Sequence, residues 1–363
     1  MPSQLPYVIC SGLLVVLNSG PLYWQFKQGN PGPIAMGFWV VLLNLREFVN
    51  CVVWYNDAIN RSPIFCDISI KISIGGQVGR LAAVYCIARF LADVVSPRAT
   101  AIMRQDRRRR AIHDYFVSIG VPVLIMACHI VYQANRFALY QGEGCLPTQF
   151  MSWPTLILRV IWGPIFAVGG VFYSAYTVYR LIRHRRNFNR VVAGAHSALT
   201  TTRFIRLAAL SISYLLIGVP LTIYSTITLI MQTGRYYDYS WAYFRSAWEH
   251  QPVAVGDTPL IADFPTWSNV IVGVIFFAAF GLGTEATEAY KKAARLCLPR
   301  RTEPLWPSSS DRSPTKRSWF RRRQETNLDD QARPIQISTR DMRGQVAYAA
   351  GVKVVIETEE DIV

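Results

Sequence analysis

The chain has 363 residues, of which 51% are hydrophobic and only 17% charged, with a formal net charge of +15. Its charge is gathered into segments rather than interleaved with apolar residues, which excludes an ordinary soluble globular domain. The basic run Arg107, Arg108, Arg109 and Arg110 fits a cytoplasmic loop of a membrane protein better than a nucleic-acid site, so no nucleic acid is expected as a partner.

Seven apolar stretches cover residues 5–24, 34–54, 66–92, 113–133, 155–180, 204–231 and 265–285. A bilayer core of ~30 Å takes about 20 apolar residues in a helix, and runs of this length lack the alternation of barrel strands. The expected fold is an all-α membrane protein, with a seven-transmembrane helix bundle over residues 1–285. A juxtamembrane amphipathic helix at 286–298 and a mostly disordered cytoplasmic tail at 299–363 are expected to follow. The first stretch lacks a basic leader and a small-residue cleavage site, so it is expected to serve as its own signal. Orientation follows from Lys and Arg. Arg98, Arg104 and the four-arginine run separate the third and fourth stretches, and Arg183, Arg185, Arg186, Arg190 and Arg203 separate the fifth and sixth. The loops on the other side carry Arg61, Arg136, Arg235 and Arg245. Cytoplasmic loops collect basic residues, which predicts an outside N-terminus, inside loops at 25–33, 93–112 and 181–203, and a cytoplasmic C-terminus. The basic loops would then meet membrane lipid and a cytosolic partner.

In chain order, Arg46 and Glu47 lie in the outer half of the second stretch. Asn60 follows in Asn60-Arg61-Ser62, a glycosylation pattern weakened by Pro63. The third stretch opens at Cys66. Asp67 and Lys71 are four apart on one face and can pair, and Lys71 lies ~7 Å below Cys66. Gly75 and Gly79 have the spacing of a close helix approach, and Arg80 sits deeper with no evident partner. His129 is near the outer end of the fourth stretch, and Arg159 lies at a depth similar to Lys71 in the fifth. Ionisable groups inside a membrane are functional candidates, and these converge on the outer half, as a ligand pocket requires. Ion pairs that only hold the bundle together are the alternative, and the better one for Arg46 and Glu47. The candidate ligand-binding set is Asp67, Lys71, Arg159, Glu47, Trp54 and His129.

Cys66 and Cys145 both face the outside. A bridge between them would pin the loop Gly142–Pro147 over the bundle; two free thiols are the alternative. Cys10, Cys51, Cys86 and Cys128 fall inside helices as small core residues. Pro122, Pro164 and Pro220 each remove a backbone hydrogen bond within a stretch and permit a kink. Between the sixth and seventh stretches, Tyr236, Tyr237, Tyr239, Trp241, Tyr243, Phe244 and Trp248 suit either the outer leaflet or a collar at a ligand entrance. The seventh stretch has no lysine for a retinal Schiff base. No catalytic constellation, metal site or cofactor site is evident, and no enzyme is expected. Cys297 ends the amphipathic segment as a candidate palmitoylation site or an unmodified thiol. The tail beyond it is rich in Pro, Ser, Arg and Asp and poor in the apolar residues that drive folding.

Several short strings, in order, carry a resemblance. They are Pro21-Leu22-Tyr23-Trp24 with Gly29-Asn30, Asn50 with Val52-Val53-Trp54, Cys66-Asp67-Ile68-Ser69, and Cys86-Ile87-Ala88-Arg89. They continue with Gly144-Cys145-Leu146-Pro147, Arg203-Phe204-Ile205-Arg206-Leu207, and Phe276-Phe277-Ala278-Ala279-Phe280-Gly281 before Glu285-Ala286 and Tyr290. Over residues 5–291 the chain resembles the fungal mating-pheromone receptors of the a-factor type, G-protein-coupled receptors for farnesylated peptides. The resemblance implies a plasma-membrane receptor that binds a farnesylated peptide pheromone and activates a heterotrimeric G protein. It also implies coupling roles for Arg89, Arg203 and Arg206 at the inner helix ends. A homodimer is a further candidate assembly. The competing reading is a transporter or channel for a lipidic or peptide solute, which usually shows internal repeats or broken helices. No repeat is visible in this sequence.

Overall fold

A computed structural model of the chain describes residues 4–96, 104–183, 201–232, 238–250, 253–256, 264–283, 348–349 and 352–353. The chain divides into two units, residues 1–299 and 300–363. In the second, Tyr348–Ala349 pairs antiparallel with Val352–Lys353. The amphipathic segment at 286–298, with Cys297, lies outside the described residues.

The first unit is mostly helical. Helix α1 (Leu5–Gln28) ends at Gly29, whose φ of 68° aims its N–H back at Gln25 O (3.1 Å) and Phe26 O (3.2 Å). Pro31 then opens α2 (Pro31–Val53) at a position where a missing N–H costs nothing. There follow α3 (Pro63–Val94), α4 (Arg104–Tyr115), α5 (Val121–Cys128), α6 (Trp153–Thr155), α7 (Trp162–Arg183), α8 (Thr201–Gln232), α9 (Trp241–His250) and α10 (Phe264–Phe280).

The all-α expectation needs one correction. Strands β1 (Phe137–Tyr140), β2 (Gly144–Leu146) and β3 (Val253–Val255) form a small sheet in the order β2-β1-β3. β1 pairs antiparallel with β2, placing Leu139 opposite Cys145, and parallel with β3, placing Phe137 opposite Val253.

The helices are inside out relative to a soluble bundle. α1 exposes Leu5, Ile9, Leu13 and Val16 along one face and buries Ser11, Asn18 and Gln25 on another. α7 exposes Ile165, Val168, Phe172 and Ile182. Large contiguous apolar surface of this kind belongs against lipid. Among the described residues, five helical segments are long and apolar enough to cross a membrane: Leu5–Gln28, Pro31–Val53, Arg108–Val131, Trp153–Arg183 and Thr202–Thr228. Thr266–Phe280 is a shorter apolar helix. α3 is 32 residues long and packs against α2, α5, α7 and α8 at the centre of the unit.

Small residues let the neighbours close on α3. A Cβ at Gly79 would overlap the Trp39 indole, and one at Gly76 would overlap Leu43, so α2 side chains rest on α3 backbone. Trp39 Nε1 donates to Ser118 O at 2.9 Å. Ser118 precedes Pro122 by four, so its carbonyl has no helical N–H to accept. The chain meets that loss with a π turn at Phe116–Gly120, and a second π turn, Leu156–Val160, precedes Pro164 in the same way. The irregularities expected at Pro122 and Pro164 thus take the form of π turns within the stretches 113–133 and 155–180, and the first stretch ends in a 3-10 turn at His129–Val131.

Candidate functional site

The β1–β2 hairpin is fastened to the ends of α2 and α3. Cys66, in the first turn of α3, is disulfide-bonded to Cys145 of β2, and both are fully buried. Gly142 N–H donates to Trp54 O at 2.8 Å. Gly144 adopts φ 71° where a Cβ would meet the Trp54 ring and Asn50, so only glycine fits this close pass. Trp54 is itself fully buried, stacks on Phe65 with ring centroids 6.1 Å apart, and donates Nε1–H to Ile59 O at 2.9 Å.

Beneath the hairpin, Arg46 of α2 joins its own helix to α3 and β2. It forms an ion pair with Glu47, donates Nε–H to Ser69 Oγ of α3 (3.1 Å), and donates Nη2–H to Cys145 O (2.6 Å). Glu47 also accepts from Asn269 Nδ2 of α10 at 3.3 Å, and Asn50 Nδ2 donates to the same Ser69 hydroxyl at 3.1 Å. Thr266 donates to Glu143 Oε1 at 3.1 Å, which ties α10 to the hairpin as well.

Asp67 and Lys71 do not form the pair their spacing suggests. Asp67 is taken by Arg136, just before β1, in a two-pronged contact: Nε to Oδ1 at 3.0 Å and Nη2 to Oδ2 at 2.5 Å. A guanidinium matches a carboxylate in this fork geometry and an ammonium does not. The bonds to Asp67 hold the Arg136 guanidinium above its ordinary pKa, so it stays cationic. Lys71 Nζ instead lies 3.1 Å from His129 Nδ1, and His129 Nε2 lies 3.3 Å from Thr148 O. Lys71 donates to one ring nitrogen and the other donates to the carbonyl, an assignment that the partners dictate.

A cavity of about 340 Å³ opens at the centre of the bundle, between α2, α3, α7, α8, α10 and the hairpin. Its charged lining is three guanidiniums, Arg46, Arg80 and Arg159, and two carboxylates, Glu47 and Glu143. Arg46 and Glu47 neutralise each other. Arg80 is 7% exposed, and its Nε has no hydrogen-bond partner among the described residues; the same holds for Arg159 Nη1. Of the candidate ligand-binding residues, Glu47 and Arg159 line this cavity. Asp67, Lys71, Trp54 and His129 lie outside the lining and are committed to the contacts given above. Sequence reasoning left Arg80 without a role, although an arginine deep in an apolar helix was the available signal. It counted Arg136 only as a loop charge and missed its pairing with Asp67.

At the opposite end of α3, Arg89 Nη1 lies 2.8 Å from His113 Nδ1 and 4.0 Å from Asp114 Oδ1, and Arg110 bridges to Asp93 at 3.2 Å. Arg206, in the first turns of α8, lies against Gly283 just beyond α10, and Arg203 is half-buried nearby in sequence. The aromatic segment is partly helical in α9. Its Tyr239 and Tyr243 rings meet Trp153 and Phe150, at 5.8 and 6.3 Å between centroids.

The chain is similar to several fungal receptors. It is 29% identical over 315 residues to the pheromone B alpha 3 receptor of Schizophyllum commune, covering 82% of this chain and 49% of that protein. It is 29% identical over 300 residues to pheromone receptor 1 of Ustilago hordei, covering 81% and 83%. It is 24% identical over 309 residues to the pheromone a factor receptor of Saccharomyces cerevisiae, covering 84% and 65%. The match spans about half the length of the Schizophyllum relatives. The sequence profile of the pheromone A receptor family matches residues 6–299. With apolar membrane-spanning helices, a disulfide-anchored hairpin and that match over most of its length, this chain belongs to the pheromone A receptor family.

Proposed function

We propose that the protein is a plasma-membrane receptor for a secreted farnesylated peptide pheromone and activates a heterotrimeric G protein. The observation that carries this reading is the family match over residues 6–299, which includes every residue that lines the cavity. In this reading seven helices cross the membrane, α3 and α10 joining the five long apolar segments. The hairpin end faces outside and the four-arginine run faces the cytoplasm, as the distribution of basic residues favours. Glu47 and Arg159, with Arg80, contact the polar part of the ligand. Asp67, Lys71, Trp54 and His129 hold the hairpin and the neighbouring helix ends in place around the cavity mouth. Arg89, Arg203 and Arg206 act at the cytoplasmic end, where agonist shifts the balance between closed and open inner faces through its differential affinity for the two. Cys297 carries a palmitoyl group that anchors the juxtamembrane segment.

The test is expression in a cell with a pheromone-pathway reporter, challenged with synthetic peptides bearing an S-farnesyl cysteine methyl ester and with their unfarnesylated counterparts. A response to a farnesylated member, lost or weakened by several orders of magnitude without the lipid, is the expected outcome. Equal potency of an unlipidated peptide refutes the lipopeptide reading. Uptake of peptide without reporter response favours a transporter.

A further inference from the structure

The central cavity adjoins a second hollow of opposite character. A groove of about 410 Å³ runs between α7 and α8 and is lined almost wholly by carbon, with Val168 and Val171 on one side and Val219, Ile223 and Ile227 on the other. Thr222 and Thr226 line both hollows. On the facing helix the consecutive residues Gly163 and Pro164 divide the same way: Gly163 borders the cavity and Pro164 the groove. The seam between the two spaces therefore runs past Thr222 and Thr226 on α8 and past Gly163-Pro164 on α7.

The seam offers hydrocarbon no free hydroxyl at Thr222. Thr222 Oγ1 donates to Gly218 O at 2.6 Å, so its hydroxyl is spent within its own helix. Gly163 lets α7 and α8 lie in contact here, since a Cβ there would come within 3.2 Å of Thr222 Cγ2, so a chain crosses the seam only where the two helices part. The π turn Leu156–Val160 ahead of Pro164 displaces α7 from a regular path at this level.

The two hollows demand different chemistry. Hydrocarbon filling the cavity would leave Arg80 Nε and Arg159 Nη1 unpaired in a dry site, and a polar group in the groove would find no partner. One molecule satisfies both only if it is amphiphilic. We infer that the α7–α8 groove receives the hydrocarbon chain of the same ligand whose polar part fills the central cavity, the chain crossing the seam beside Thr222 and Thr226 as α7 and α8 part. This rests on the reading of the cavity as the pheromone site and adds where the lipid goes: between two helices, rather than against the aromatic segment of α9.

The experiment uses the full chain in phospholipid nanodiscs and N-acetyl-S-farnesylcysteine methyl ester with a photoreactive diazirine in its last isoprene unit. Cross-linked peptides are mapped by mass spectrometry. The expected labels fall on α7 and α8 around Val168, Val171, Ile223 and Ile227. Excess N-acetyl-S-farnesylcysteine methyl ester competes for them, and the S-methyl analogue does not. The geranyl analogue competes at least about tenfold more weakly, since each buried methylene is worth about fourfold in affinity. Ile223→Trp fills the groove and lowers labelling at least about tenfold, whereas Val274→Trp, on an exposed face of α10, leaves it unchanged. The mapped position in the unaltered protein decides the matter if Ile223→Trp fails to fold. Labels on α9, or labels displaced equally by added phospholipid, overturn the inference, the latter showing a groove that only meets bilayer chains. The two readings fail separately. A reporter response to farnesylated peptide with labels elsewhere sinks only the groove. Competitive groove labelling with no response to any peptide keeps the groove and sinks the receptor reading.

Discussion

Replacing Arg46 by Met should destabilise the protein more than replacing Arg46 and Glu47 together. Both residues are 5% exposed. With the guanidinium gone, Glu47 keeps Asn269 Nδ2 as a donor at 3.3 Å, and the Cys145 carbonyl loses its 2.6 Å contact. Ser69 retains Asn50. Breaking a buried ion pair from one side costs about 3–5 kcal/mol, chiefly because the surviving charge is stranded. An unsatisfied carbonyl adds about 1–3 kcal/mol. Arg46→Met with Glu47→Gln removes the stranded charge and leaves only the carbonyl, so it should recover about 2 kcal/mol or more of the single-variant loss. The assay is the apparent melting midpoint of detergent-solubilised receptor, read as the fraction that survives heating and elutes as monodisperse protein, for wild type, both single variants and the double. Glu47→Gln alone should be milder than Arg46→Met, because Arg46 retains Ser69 Oγ and the Cys145 carbonyl. Strict additivity across the four proteins would show that the two side chains do not act as a pair and would refute the reasoning.

Other outcomes follow from the same contacts. Cys66→Ala with Cys145→Ala removes a crosslink closing a sequence separation of 79, worth about 4.5 kcal/mol in the chain-entropy account, and surface expression should fall. Mass spectrometry of wild-type surface receptor should find the two cysteines joined, and free thiols there would contradict the structure. Gly79→Leu drives into the Trp39 indole and displaces its bond to Ser118 O, an overpacking cost of about 1–3 kcal/mol visible in the same melting assay. An unchanged midpoint would mean that α2 and α3 do not close at that point. Arg89→Ala lies roughly 35 Å along α3 from Cys66 and releases His113 and Asp114, so it should change signalling per bound ligand more than it changes binding. Loss of affinity with signalling per bound ligand intact would count against a coupling role.

The long helices were legible because their apolar runs match the thickness of a bilayer, a signal that survives without any tertiary information. The disulfide was legible because Cys66 and Cys145 stand apart from the cysteines inside helices, at a helix end and in a glycine-flanked loop. The small sheet was not, since strands of three or four residues carry too little alternation to be told from loop. The partners of Asp67 and Lys71 were also hidden. Spacing on one helix places two side chains on a common face, but Arg136 and His129 arrive from elsewhere in the chain with better geometry. The π turns were half legible: Pro122 and Pro164 marked where a backbone bond had to be lost, and only the fold showed that Trp39 takes up the freed carbonyl of Ser118. The role of Arg80 required the cavity to be seen, because a lone arginine in an apolar helix announces function without saying which neighbours it faces.

The central claim is that lipopeptide bound at the hairpin end drives nucleotide exchange at the other. The most direct measurement reconstitutes the full chain in nanodiscs with a purified heterotrimeric G protein and follows GTPγS uptake as farnesylated peptide active in the reporter assay is added. The account predicts exchange that rises with farnesylated peptide, not with its unfarnesylated counterpart, and that falls when Arg80→Gln and Arg159→Gln remove two guanidiniums from the cavity lining. Exchange that is indifferent to the lipid, or unaltered by loss of both arginines, would contradict it.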